Sequence, residues 1–355
     1  MTPLITRRAL VAGLGASLPA AGCASLAEPE RRMVQVNLAQ QPIVVPPPEG
    51  AAGSGVSLQT AFDAVLRMTV PTYVDDGGPY TFVVDTGANR SVMATEVAAA
   101  LRLENAGTAS IHGIAGVDPA QTVRVRKLNV GGLVSRRLRM PLLPNRFLGA
   151  DGLLGVDVLE RRRVKLDFRR NHFTVAPSAK GGGAITVRRG RDTRLEKPPP
   201  PDPSIVVVPA RHRFGQLTIV DAEVDGVPIT AFLDSGAQAT VGNIALRDAV
   251  VNRAPGLRSQ MVVVQLISAT GQTVSGELSP LPPMRLGGLR LGNLSCVFAD
   301  LHTFRIWDLA DRPAILIGVD VMRHFESIEL DFGRSEVTFK TPTREGAPAA
   351  PGAGG

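Results

Sequence analysis

At 355 residues and 44% hydrophobic, the chain is long enough for two domains with cores of their own. Its formal net charge of +7 is modest for this length, its aromatic content is 4%, and it carries no nucleic-acid motif, which together exclude nucleic acid as a partner. The five histidines, at positions 112, 172, 212, 302 and 324, lack paired ligand spacing, so each reads as a surface or packing residue and neither a metal nor a cofactor is expected.

Arg7 and Arg8 precede an apolar, Gly/Ala-rich run that is too short for a membrane span and ends in small residues. Residues 1–22 therefore read as an export signal of the twin-arginine type. "AAGC" at 20–23 resembles a lipoprotein cleavage box with Cys23 as the acylated residue, although Ala20 stands where such boxes usually carry Leu. A plain cut after "SLA" at 25–27 is the alternative. The expected location is the periplasm, with a lipid anchor in an envelope membrane on the first reading. Residues 23–56 read as an N-terminal segment, in which the "PPPEG" stretch near 47 looks unstructured.

The stretch "FVVDTGANRS" at 82–91 then drives an apolar strand straight into Asp85, followed by Thr86 and Gly87. A carboxylate at the end of a buried strand is costly unless it is hydrogen-bonded, paired or needed for chemistry. The pattern recurs as "AFLDSGAQAT" at 231–240, with Asp234, Ser235 and Gly236. Each copy is preceded by a strand, an Asp/Gly turn and a second strand, with Pro79 and Pro228 six residues ahead of the acid. Each is followed by a short helical pattern, "TEVAAALRL" or "NIALRDAVV", and later by two apolar residues, a glycine (Gly155 or Gly318), "VDV", a helical turn and a strand containing "LDF".

This is one unit written twice. The β-rich stretches with Gly/Pro turns predict a mostly β protein with short helices in two homologous lobes. The first lobe is expected over 57–178 and the second over 204–342, joined by a Gly, Arg and Pro-rich linker at 179–203 and followed by an unstructured tail at 343–355. Cys296, in the apolar stretch "LSCVFAD", reads as an inert buried thiol.

If the lobes pack about a pseudo-twofold axis, Asp85 and Asp234 meet there, and two carboxyls in contact hold one proton between them. One can take a proton from a bound water while the other protonates the carbonyl oxygen under attack, which hydrolyses a peptide bond without a metal or a covalent intermediate. Thr86 and Ser235 supply short hydroxyls for bonds across the interface. Gly87 and Gly236 let the chain turn and bring backbone N–H groups to the acids.

These motifs resemble the aspartic proteases, and the spacing to "LLGVDVL" is more similar to a retropepsin-type lobe than to a pepsin lobe. The resemblance implies two β-barrel lobes related by a pseudo-twofold axis, with Asp85 and Asp234 as catalytic, Thr86 and Ser235 as the cross-lobe pair, and Gly155 and Gly318 in loops packed behind each acid. As in pepsin, both lobes lie in one chain, so a monomer suffices for the dyad. Neither tyrosine, Tyr73 or Tyr80, lies in a flap position. Instead "HGIAGVDPAQ" at 112–121, with Gly113, Ile114 and Gly116, resembles a retropepsin flap, and "SATGQTVSG" at 268–276, with Gly271, is its counterpart. Two flaps imply a protein or peptide substrate bound in extended form. The segment 301–313, longer than its first-lobe equivalent, is expected over one end of the cleft. The rival reading is a catalytically silent peptide-binding protein on the same scaffold; such a relative is expected to have lost an acid or a hydroxyl, and this chain keeps both of each.

Overall fold

The computed structural model describes residues 56–178, 202–213, 215–219 and 221–342. The export signal, Cys23, most of the linker and the tail lie outside them.

In the first lobe the strand Met68–Val74 turns into Gly77–Val84 through Asp75 and Asp76, both at positive φ. This is the backbone twist that a two-residue hairpin turn needs. Gly77–Val84 pairs in parallel with Gly152–Leu154, which pairs antiparallel with Val92–Ala94. Val92–Ala94 continues in parallel to Leu133–Leu143, and that strand lies antiparallel to Val117–Val130. Val117–Val130 also pairs with Met68–Val74, so six strands close into a barrel.

The second lobe repeats the pattern. Thr230–Leu233 is parallel to Ala314–Ile317, which is antiparallel to Val241–Gly242, which is parallel to Leu294–Ala299. Thr273–Leu281 and Val262–Ile267 follow as antiparallel neighbours. The expected helices are present as Thr95–Ala100 and Ile244–Arg253. The second of these is capped by Asn243, whose side chain accepts from the Leu246 N–H and so satisfies one of the orphan donors of the first turn.

The two "LDF" strands join the lobes. Arg162–Asp167 pairs antiparallel with Ser327–Asp331, with Val164 opposite Leu330 and Leu166 opposite Ile328. All four of those side chains are essentially inaccessible, each contributing roughly 1.5–3 kcal/mol of burial. One apolar core runs through both lobes as a result. The seam fixes how the two aspartate-bearing strand ends face each other.

Candidate active site

Asp85 and Asp234 each follow a strand whose last three residues, Phe82–Val84 and Ala231–Leu233, are buried. Their backbone N–H groups donate to the carbonyls of Leu154 and Ile317, the last residues of the parallel neighbours. Beyond each acid the chain turns back on its carboxylate. Asp85 Oδ1 accepts from the N–H groups of Gly87 and Ala88, both at 2.9 Å, and Asp234 Oδ1 from those of Gly236 and Ala237 at 2.9 and 3.1 Å.

The two turns are locked to each other by four reciprocal bonds. Thr86 Oγ1 donates to the Leu233 carbonyl at 2.8 Å and accepts from the Ser235 N–H at 3.0 Å. Ser235 Oγ donates to the Val84 carbonyl at 2.7 Å and accepts from the Thr86 N–H at 3.1 Å. Gly236 lies against Asp85 and Gly87 against Asp234, so closely that a Cβ on either glycine would overlap the facing carboxyl group. No other residue fits there.

The carboxyl groups lie within hydrogen-bonding reach of one another. Burial is the main cause that holds both above the ordinary carboxylate range. For Asp234 the charge of Asp85 raises it further, whereas the bonds from Gly87 and Ala88 and the charge of Arg67 pull Asp85 back down.

Behind each acid sits a second matched device. The Gly155 N–H donates to Ser91 Oγ at 3.0 Å and the Gly318 N–H to Thr240 Oγ1 at 3.1 Å. Those hydroxyls donate in turn to Asp157 and Asp320, both at 2.7 Å. Burial pushes the Asp157 carboxyl up, and the Ser91 hydroxyl and N–H oppose that shift. Sequence reading singled out the two glycines and the repeated "VDV" but gave no role to Asp157 or Asp320, whose signal was their matched place in the repeat.

The stretches expected as flaps are hairpins. Asn105–His112 and Val117–Val130 flank a turn closed by the Gly113 N–H on the Gly116 carbonyl at 2.8 Å. Val262–Ile267 and Thr273–Leu281 flank one closed by the Ser268 N–H on the Gln272 carbonyl at 2.7 Å, with Gly271 at its tip. The tips meet: Gly113 packs on Ser268, Gly116 on Gln272, and Gln272 Nε2 donates to Asp118 Oδ1 at 2.6 Å. Each tip also touches the opposite lobe. Gly271 rests on the Phe147 ring, while Ile114 packs on the apolar cluster of Phe232, Leu301 and Trp307 and accepts at its carbonyl from the His302 N–H at 2.8 Å. The segment 301–313 therefore abuts the tip of the first flap.

A family model described as aspartyl protease matches residues 70–158, which include Asp85, and again 220–321, which include Asp234. The chain belongs to the aspartyl protease family. Its two matched segments are retropepsin-like lobes duplicated within one chain. A comparison with curated proteins finds no match.

For an aspartyl protease of this build, several side chains near the flaps and the dyad carry no sequence motif. His112, at the end of the first flap's leading strand, sits 3.1 Å from His302 through Nδ1 and Nε2. The scattered spacing of the histidines concealed this pairing. Among the described residues no group of three metal-binding side chains comes together. Cys296 is buried, and burial pushes its thiol well above the ordinary range, which leaves it no thiolate character at neutral pH. Arg67 and Gln216, which reach the dyad turns from either side, were also missed.

Proposed function

We propose that the chain is an aspartic endopeptidase complete in one polypeptide, with Asp85 and Asp234 as its catalytic pair. The observation that supports this most is the four-bond reciprocal lock between Thr86 and Ser235, which holds the two aspartate turns together with each carboxyl packed on the glycine of the other turn. Two such carboxyls share a proton because both cannot ionise side by side. The charged one accepts a proton from water as that water attacks the peptide carbonyl carbon. The neutral one donates its proton to the carbonyl oxygen, giving a gem-diol. As the C–N bond breaks, the acid that took the water's proton gives it to the leaving nitrogen and the other acid takes a proton from a diol hydroxyl, so the pair again holds one proton.

The substrate on this reading is an extended peptide held beneath the two flaps. Ile114 at the tip of the first flap, itself apolar and half-buried, favours apolar side chains at the scissile bond. Export to the periplasm, with Cys23 as a lipid anchor, is part of the same proposal and rests on Arg7, Arg8 and the "AAGC" box. The test is cleavage-site profiling on a peptide library with the purified protein and its Asp85→Asn variant. Cleavage between apolar residues that disappears in the variant supports the reading. Equal cleavage by both proteins, or none by either, refutes it.

A further inference from the structure

Arg67 and Gln216 stand at matched positions, each eighteen residues ahead of the aspartate of its own lobe. Both reach across the interface to do the same thing. Arg67 Nη1 donates to the Gly236 carbonyl at 3.5 Å, and Gln216 Nε2 donates to the Gly87 carbonyl. Gly236 is the residue packed on Asp85, and Gly87 the one packed on Asp234. Each lobe thus grips, with one side chain, the opposite glycine that covers its own acid.

The geometry is symmetric and the charge is not. One grip is a guanidinium and the other a neutral amide. Arg67 is fixed in place: its Nη2 donates to the Leu148 carbonyl at 2.6 Å, and its Nε pairs with Asp63 Oδ2 at 2.6 Å. The Arg67 and Asp63 side chains are 14% and 7% exposed, so solvent screens the pair weakly. Asp63 sits on the Nε edge, and Nη1 points to the dyad turn, so the ion pair presents its positive end to Asp85. The charged neighbours are accordingly Arg67 and Asp234 for Asp85, with Asp63 behind Arg67, and Asp85 for Asp234.

We infer that Arg67 and Gln216 are positioning residues that break the symmetry of the aspartate pair, making Asp85 the partner that carries the charge and Asp234 the partner that keeps the proton. The inference rests on the reading of the two acids as a catalytic pair and assigns their roles: Asp85 takes the proton from water and Asp234 protonates the carbonyl oxygen. The directions of the shifts agree, because Arg67 lowers Asp85 whereas Asp85 itself raises Asp234.

The experiment reads each carboxyl separately. The full chain is labelled with carboxyl-¹³C aspartate, the two signals are assigned with Asp85→Asn and Asp234→Asn, and both are titrated by NMR in the parent, Arg67→Gln, Gln216→Arg and the swapped pair Arg67→Gln/Gln216→Arg. The kcat/KM profile of peptide cleavage is recorded alongside. In the parent, Asp85 should lose its proton at lower pH than Asp234. Arg67→Gln should raise the Asp85 midpoint by about one unit and move the acidic limb of the rate profile with it. Gln216→Arg should narrow the gap from the other side, the swapped protein should invert the order, and Arg67→Lys should restore most of the parent behaviour. If Arg67→Gln does not fold, Gln216→Arg carries the comparison, with Arg67→Lys, which keeps the charge, as its control. An order of titration that is the same in every folded variant, or a parent in which Asp234 ionises first, overturns the inference. Because the NMR titration needs no turnover, an inactive protein would refute the protease reading while still deciding the assignment.

Discussion

Replacing Thr86 with valine removes one hydroxyl and almost no volume, so its cost isolates the hydrogen bonds of the interlobe lock. Two buried backbone groups lose their partners, the Leu233 carbonyl and the Ser235 N–H. Each orphaned group costs roughly 1–3 kcal/mol, which gives about 2–6 kcal/mol against a total stability of roughly 5–15 kcal/mol for a folded domain. Urea unfolding followed through the single tryptophan, Trp307, which is buried beside Phe232, measures the loss directly. Thr86→Ser keeps the hydroxyl and should stay close to the parent. Ser235→Ala orphans the matching pair, the Val84 carbonyl and the Thr86 N–H, and should cost a similar amount. The double variant should depart from additivity, since all four bonds clamp the same two turns. A Thr86→Val protein within about 0.5 kcal/mol of the parent would mean that the lock does not hold the turns together.

The single variants Asp85→Asn and Asp234→Asn and the double variant should fall to a similar floor in a peptide-cleavage assay, at least about 10³-fold below the parent; substantial activity in either single variant would dissolve the pair. Both carboxyls are held above their ordinary range, chiefly by burial, so the folded state binds their protons more tightly than the unfolded chain does. That contribution is full below about pH 4 and is lost as pH rises through the folded values. Asp234→Asn, which cannot ionise, should therefore melt higher than the parent at pH 7.5 and level with it near pH 4; equal melting at both pH values would contradict the sign. Ile114→Ala removes three carbons from a half-buried flap tip that packs on the chain's own apolar cluster, a loss of roughly 1.2 kcal/mol of contact; it should lower the melting temperature by about 2–4 °C and reduce kcat/KM by loosening the flap. Changing Arg7 and Arg8 to lysine should leave precursor in the cytoplasm, and Cys23→Ser should move the protein from the membrane fraction to the soluble one; cell fractionation reads both.

What the sequence makes legible here is whatever is local and doubled. The apolar strand that runs into Asp85 and again into Asp234, the Gly155 and Gly318 elements and the paired "LDF" strands are patterns within a few residues of chain, and their repetition identifies them. The flap hairpins were equally readable, because Gly113, Gly116 and Gly271 punctuate alternating stretches. The contacts that stayed hidden join side chains far apart in sequence and different in type. His112 and His302 belong to a flap and to an insertion that the other lobe lacks in comparable length. Arg67 and Gln216 share a position but not a chemistry, so a search for repeated residues passes over them. Asp118 and Gln272 bond only because the two flap tips converge, and convergence is a property of the assembled lobes.

The seam between Arg162–Asp167 and Ser327–Asp331 has a consequence for how this chain could be divided. Its register brings Val164 to Leu330 and Leu166 to Ile328, and none of that pairing depends on the covalent link between the halves. A gene cut within residues 179–201 and expressed as two pieces should yield fragments that find each other and regain activity as a heterodimer. The N-terminal fragment alone is left with an open strand edge at Arg162–Asp167, and a second copy of itself can supply a similar strand in the antiparallel sense. Fragment complementation would then compete with self-association, and the ratio of the two products would measure how far each half has become specialised for its partner.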